Sequence, residues 1–164
     1  MIYNNVYYFD PVREVLWILP AKNASTSIKL AAGLQGYISR ESAMNLNRHF
    51  TVGVIRHPLA RAVSGVYTVT NNTQPFRDRL IRYIHNSHIR PQAPAFEGLR
   101  VDFMLHVERF KDDWKSLQEV LALPDLPHLN AGVLGDGRPL DWREACDWTE
   151  FMPLYAKDFI LWAS

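Results

Sequence analysis

Apolar residues come in short blocks along this chain, and the blocks change period. Val6 to Phe9 and Val15 to Leu19 are runs of β-branched, aromatic and aliphatic residues on either side of Asp10-Pro11, which predicts two strands joined by a turn. Pro20 halts the second run. Ile28, Leu30 and Ala31 then open a helical pattern that ends near Gly33, with Ser25 or Thr26 as its expected cap. Phe50 to Arg56, FTVGVIR, predicts a further strand. Pro58 stands where a first helical residue would, and Leu59, Ala62, Val63 and Val66 follow at helical spacing. Asp112 or Asp113 is placed to cap another helix, striped by Trp114, Leu117, Val120 and Leu121. Phe151 to Trp162 predicts a C-terminal helix that packs through Phe151, Leu154, Tyr155 and Phe159. Strands alternating with helices imply a three-layer α/β fold with a mainly parallel sheet, whose ligands sit beyond the carboxyl ends of the strands. No repeat, low-complexity tract or linker-like shift interrupts this order, so residues 1–164 read as one domain.

Composition narrows the class. The 164 residues are 48% hydrophobic and 21% charged, the balance of a soluble globular protein long enough to bury its own core. A net charge of +1, from 18 Lys and Arg against 17 Asp and Glu, argues against nucleic acid or any other generic polyanion as partner. Any anion site must therefore be local. Cys146 is the only cysteine, which excludes an intramolecular disulfide and a multi-cysteine metal cluster and fits a reducing compartment. The N-terminal MIYNNVYYFDPVREV has no leader-like pattern, and nowhere is there a run of about 18 apolar residues. A cytoplasmic chain without a membrane span is expected.

Chemistry enters at WILPAKNASTSIKLA, residues 17–31. A strand that runs through a loop of small residues into a helix presents free backbone N–H groups and the positive end of the helix dipole. Lys22 adds a mobile charge, and Ser25, Thr26 and Ser27 add hydroxyl donors for phosphate-like oxygens. In the nucleotide-hydrolase loop G-x-x-x-x-G-K-[ST] the lysine comes near the end; here it comes first and both glycines are missing. Taken alone, the loop fits an ordinary capped turn with a surface lysine equally well. IRHPLARAVSGVY puts Arg56 at the carboxyl end of a strand and Arg61 and Ser64 three apart on the next helix. Arginine and serine so placed can grip a second phosphate; ion pairs for both arginines and a packing role for Ser64 are the plainer alternative. Two anion grips on one sheet edge imply a ligand with two separated phosphate groups.

Together these segments resemble the sulfotransferases that use 3′-phosphoadenosine 5′-phosphosulfate (PAPS), especially the carbohydrate-modifying branch and its small bacterial relatives. The family's 5′-phosphosulfate loop, P-K-x-[AG]-S-T-S, matches KNASTS from Lys22 to Ser27, with Ala21 where the family has proline and Pro20 one place earlier. Its 3′-phosphate motif, R-[DHN]-P-x-x-R-x-x-S followed by an aromatic, matches Arg56, His57, Pro58, Arg61 and Ser64, with Tyr67 one place late. HIRPQ (His88 to Gln92), VERFKDDWKSL, LPHLN (Leu126 to Asn130) and LYAKDF (Leu154 to Phe159) follow in family order.

The resemblance implies a P-loop-like fold and transfer of a sulfuryl group from PAPS to an acceptor hydroxyl or amine, with no metal. It implies Lys22 on the bridging oxygen, Asn23, Ala24, Ser25, Thr26 and Ser27 around the 5′-phosphate, and Arg56 and Ser64 on the 3′-phosphate. Arg61 either supports these two or braces its helix. The acceptor hydroxyl needs a base. Glu41 is the first choice, against a plain role as a first-turn acid; His88 is the runner-up, His49 reads as structural, and His128 as the holder of a late loop. From Arg77 to Arg90 stand four arginines and two histidines against one acid. If Arg79, Arg82 and His85 share a helix face, it would suit an acidic acceptor such as a glycan bearing carboxylate or sulfate. A nucleotide kinase or hydrolase of related fold, and a nucleotide-binding module without catalysis, are the competing readings.

Overall fold

Four strands lie in one sheet in the order of the chain: β1 (Tyr7–Asp10), β2 (Val15–Ile18), β3 (Phe50–Ile55) and β4 (Phe103–His106). The structure is a computed structural model that describes residues 5–70, 73–127 and 141–164. β1 and β2 pair antiparallel, whereas β2 with β3 and β3 with β4 are parallel. Six helices are present among the described residues: α1 (Ser25–Ala32), α2 (Arg40–Leu46), α3 (Pro58–Val69), α4 (Phe76–Tyr83), α5 (Phe110–Leu121) and α6 (Met152–Ala163). This is an α/β fold with an open, mostly parallel sheet, compatible with the three-layer arrangement expected from the alternation of elements.

The chain divides into two compact units, Met1–Ile55 with Pro94–Leu129, and Arg56–Ala93 with Asn130–Ser164. The first holds the whole sheet with α1, α2 and α5. Its turn between β1 and β2 is built by Asp10, whose Oδ1 accepts from the N–H groups of Val12 (3.0 Å) and Arg13 (3.1 Å) while Oδ2 pairs with the Arg13 guanidinium at 2.7 Å. Trp17, Val52, Val54 and Leu105 of the sheet pack with Ile28 of α1 and with Trp114 and Leu117 of α5 to make the core. Gly53 belongs to this core because a Cβ there would stand 2.7 Å from the Phe96 ring.

The second unit has a core of its own. Leu59, Ala62, Val63 and Val66, the face predicted for α3, are buried with Phe76 and Leu80 of α4, Ile89, Trp148, Phe151 and Tyr155. The chain around His88 lies directly on α3. A Cβ at Gly65 would stand 2.3 Å from the His88 carbonyl oxygen, so only glycine permits this approach of backbone to backbone.

Several local expectations are corrected. Neither Ser25 nor Thr26 caps α1: the helix starts at Ser25, its cap position is Ala24, and no side chain closes the first turn. α5 begins at Phe110, so Asp112 and Asp113 lie within its first turn, and Asp113 instead accepts from the backbone N–H of His106 at 2.8 Å. Val120 is 63% exposed and Leu154 42% exposed, so neither joins the core stripe proposed for its helix. β4 has no counterpart among the predicted strands.

Candidate functional site

In the first unit, the loop that follows β2 is built from strained backbone. Lys22 has φ 69° and Ala24 φ 55°, both in the left-handed region that side chains with a Cβ rarely occupy, with Asn23 between them. Alternation of hand is the pattern from which backbone anion cradles are built, and here the Asn23 N–H within it closes the loop onto the Pro20 carbonyl at 3.3 Å. Asn23 is fully buried and its Nδ2 donates to the Val54 carbonyl at 2.7 Å, which ties the loop to β3. Its side chain is therefore an anchor. Ser27 is buried at the first turn of α1, Thr26 is exposed, and Ser25, Ala24 and Lys22 are half-buried. With no side-chain cap on this turn, the positive end of α1 faces the same loop.

In the second unit, half-buried Arg56 is gripped through its backbone. The Gln92 amide is fully buried, and it accepts from Arg56 N–H at 3.3 Å and donates to Arg56 C=O at 2.7 Å, as a neighbouring strand would. Gln92 is itself held: its N–H and that of Ala93 each donate to one oxygen of buried Asp158 at 2.7 Å. Arg61 is 1% exposed and donates to the carbonyls of Ser87 (3.2 Å), Ile89 (3.4 Å) and Arg90 (2.6 Å). The Tyr155 hydroxyl adds a 2.8 Å bond to the Ile89 carbonyl, and burial pushes that phenol far above its ordinary range. Arg61 thus braces residues 87–90 against α3. Ser64 is buried on α3. His57 caps α3 through Nδ1 and stacks on Trp142 at 4.5 Å.

No protein family, curated protein or solved structure matches the chain. The functional reading therefore rests on the sequence motifs and on the geometry of the loop.

The candidate bases are placed as follows. Glu41 is exposed in the first turn of α2, and among the described residues its carboxylate makes no hydrogen bond or ion pair. His49 packs against Phe9 with ring centroids 5.2 Å apart, a structural contact. His88 is half-buried, its N–H donates to the Asn86 side chain, and its carbonyl abuts Gly65. His128 and most of LPHLN lie outside the described residues. The basic face proposed for Arg79, Arg82 and His85 is not formed. α4 ends at Tyr83, so His85 lies beyond it, and Arg79 is buried while Arg82 is exposed. Arg77, from the same stretch, pairs with Glu150 at 2.6 Å.

A groove of about 520 Å³ runs along α1 in the first unit, lined by Tyr8, Thr26, Lys29, Leu34 and Tyr37 among others. Among the described residues, no group of three or more His, Cys, Asp or Glu side chains is arranged to hold a metal ion, and no helix is long and apolar enough to cross a membrane. Gln92, Asp158 and Tyr155 are the site-shaping residues that motif reading did not assign a role. All three sit inside the late segments HIRPQ and LYAKDF, which were the available signal.

Proposed function

We propose that this chain is a PAPS-dependent sulfotransferase with a P-loop-like nucleotide site, working in the cytoplasm, as its lone cysteine suits. The observation that carries the reading is the loop at Lys22 to Ala24. Two non-glycine residues held at positive φ beside an uncapped helix start form a costly arrangement that a bound anion would repay, and strain of this kind concentrates at ligand clamps. The KNASTS sequence around it supports the 5′-phosphosulfate as that anion, and Arg56 with Ser64 supplies the grip for the 3′-phosphate.

In the proposed reaction the acceptor oxygen attacks sulfur, the new O–S bond forms, and the bond from sulfur to the bridging phosphate oxygen breaks. The acceptor proton goes to a base, and 3′-phosphoadenosine 5′-phosphate (PAP) leaves. Such transfers depend on positioning and on neutralising charge at the leaving phosphate, which is the part given to Lys22 and the loop N–H groups. The acceptor is a hydroxyl or amine compound, with a glycan as first choice.

PAP at about 100 times its Kd should stabilise the folded chain by about 2.7 kcal/mol, a rise of about 5–10 °C in Tm. AMP and ATP should each give much smaller rises in the same thermal-shift measurement. Equal rises for all three would end the PAPS assignment and favour a kinase or hydrolase.

Glu41 is the proposed base, since its carboxylate is exposed and spends no bond elsewhere among the described residues. Glu41→Gln should lower transfer about 10²- to 10⁴-fold with Tm unchanged, whereas His88→Ala should retain most of the rate. The reverse order of losses would give the proton to His88.

A further inference from the structure

Arg79 on α4 is 7% exposed, and the centre of its guanidinium lies 4.8 Å from the Tyr67 ring centroid and 5.9 Å from that of Phe76. Its Nε is sealed from solvent and meets no hydrogen-bond acceptor, and no carboxylate among the described residues pairs with it. Two other arginines of this unit have such partners: Arg77 pairs with Glu150, and Arg61 donates to three backbone carbonyls. Burying a cation is strongly unfavourable unless an anion or several acceptors meet it, and aromatic faces offset only part of that cost. Among the described residues, therefore, no carboxylate pairs with this buried cation and no acceptor meets its Nε.

We infer that Arg79 anchors an oxyanion site in the second unit and that the group it takes is a carboxylate or sulfate carried by the acceptor. The inference of an acceptor rests on the sulfotransferase reading, whereas the oxyanion site does not. A guanidinium fork binds such a group in its own plane, and the rings of Tyr67 and Phe76 hold that plane in place. Tyr67 lies three residues beyond Ser64 on α3, so the helix that carries the 3′-phosphate serine also carries a wall of this site.

Calorimetric titration of the full chain tests the site, using glucuronate, sulfate, neutral glucose and PAP as probes at constant ionic strength. Wild-type protein should bind glucuronate and sulfate saturably and glucose not at all. Arg79→Met should weaken glucuronate at least about tenfold while leaving the Kd of PAP within about threefold. Arg79→Lys, which keeps the charge but loses the fork, should fall between. Without ligand, Arg79→Met should melt no lower than wild type, because it replaces a buried cation that no carboxylate among the described residues pairs with by an apolar chain of similar length. Unchanged glucuronate binding in Arg79→Met, or a lowered Tm with no effect on any anion, would overturn the site and make Arg79 a structural residue. Loss of PAP binding alone in Arg79→Met would assign the group to the nucleotide and overturn the acceptor. If wild type fails to bind PAP but glucuronate behaves as expected, the sulfotransferase reading falls and the oxyanion site stands.

Discussion

Lys22→Ala is expected to lower sulfuryl transfer by about two to three orders of magnitude, the cost typical of removing one preorganised group from a developing negative charge. The readout is turnover of labelled PAPS with an acceptor found by screening hydroxyl and amine compounds. Stability separates this loss from damage to the fold. Lys22 already holds φ 69°, and alanine at the same φ carries the same strain, so Tm should move by no more than about 2 °C. Lys22→Gly makes the contrast sharper. Glycine takes positive φ without a Cβ clash, so this variant should melt no lower than Lys22→Ala while transferring equally slowly. A wild-type rate in either variant removes the lysine from the chemistry. A lost rate with a collapsed Tm would show only that the loop no longer folds.

The strand, loop and helix around Lys22 were legible because their signals are local. Pro20 ends an apolar run, and Gly33 takes φ 68° at the end of α1, with its N–H reaching the Leu30 and Lys29 carbonyls. Pro58 begins α3, and the four apolar residues spaced along it are buried. Other features depend on partners far away in sequence. β4 is short, and it becomes a strand by pairing with β3, Val52 opposite Phe103 and Ile55 opposite His106, and by the catch of Asp113 on the His106 N–H. No local period encodes those bonds. The positive φ of Lys22 and Ala24 was equally hidden, because neither residue type announces left-handed backbone as glycine does. Arg61 shows the same limit for charge. Helical spacing gives no sign that a guanidinium will be 1% exposed on carbonyls 26 to 29 residues away.

The largest effect on stability is expected at Asp158. It is fully buried, and each carboxylate oxygen holds one backbone N–H, those of Gln92 and Ala93. Asp158→Ala strands both donors, and at about 1–3 kcal/mol for each unsatisfied buried group the fold should lose roughly 2–6 kcal/mol. The damage should spread to Arg56, because Gln92 holds that backbone through its own amide. Whatever fraction still folds should therefore bind PAP more weakly, by thermal shift, than a variant of equal stability altered in the first unit. Asp158→Asn keeps one acceptor and should cost less. Burial raises the Asp158 carboxyl above its ordinary 3.8, against the pull of the two N–H groups and Arg61. The native chain then holds this proton at pH values where the unfolded chain has released it. The group's contribution is complete below about 3.8 and is lost as pH rises through its raised value. Asp158→Asn has no such step, so the Tm gap between wild type and this variant should narrow as pH rises above 3.8. A gap that widens instead would mean that the buried carboxyl is held ionised by its two N–H partners, with its pKa below the ordinary value.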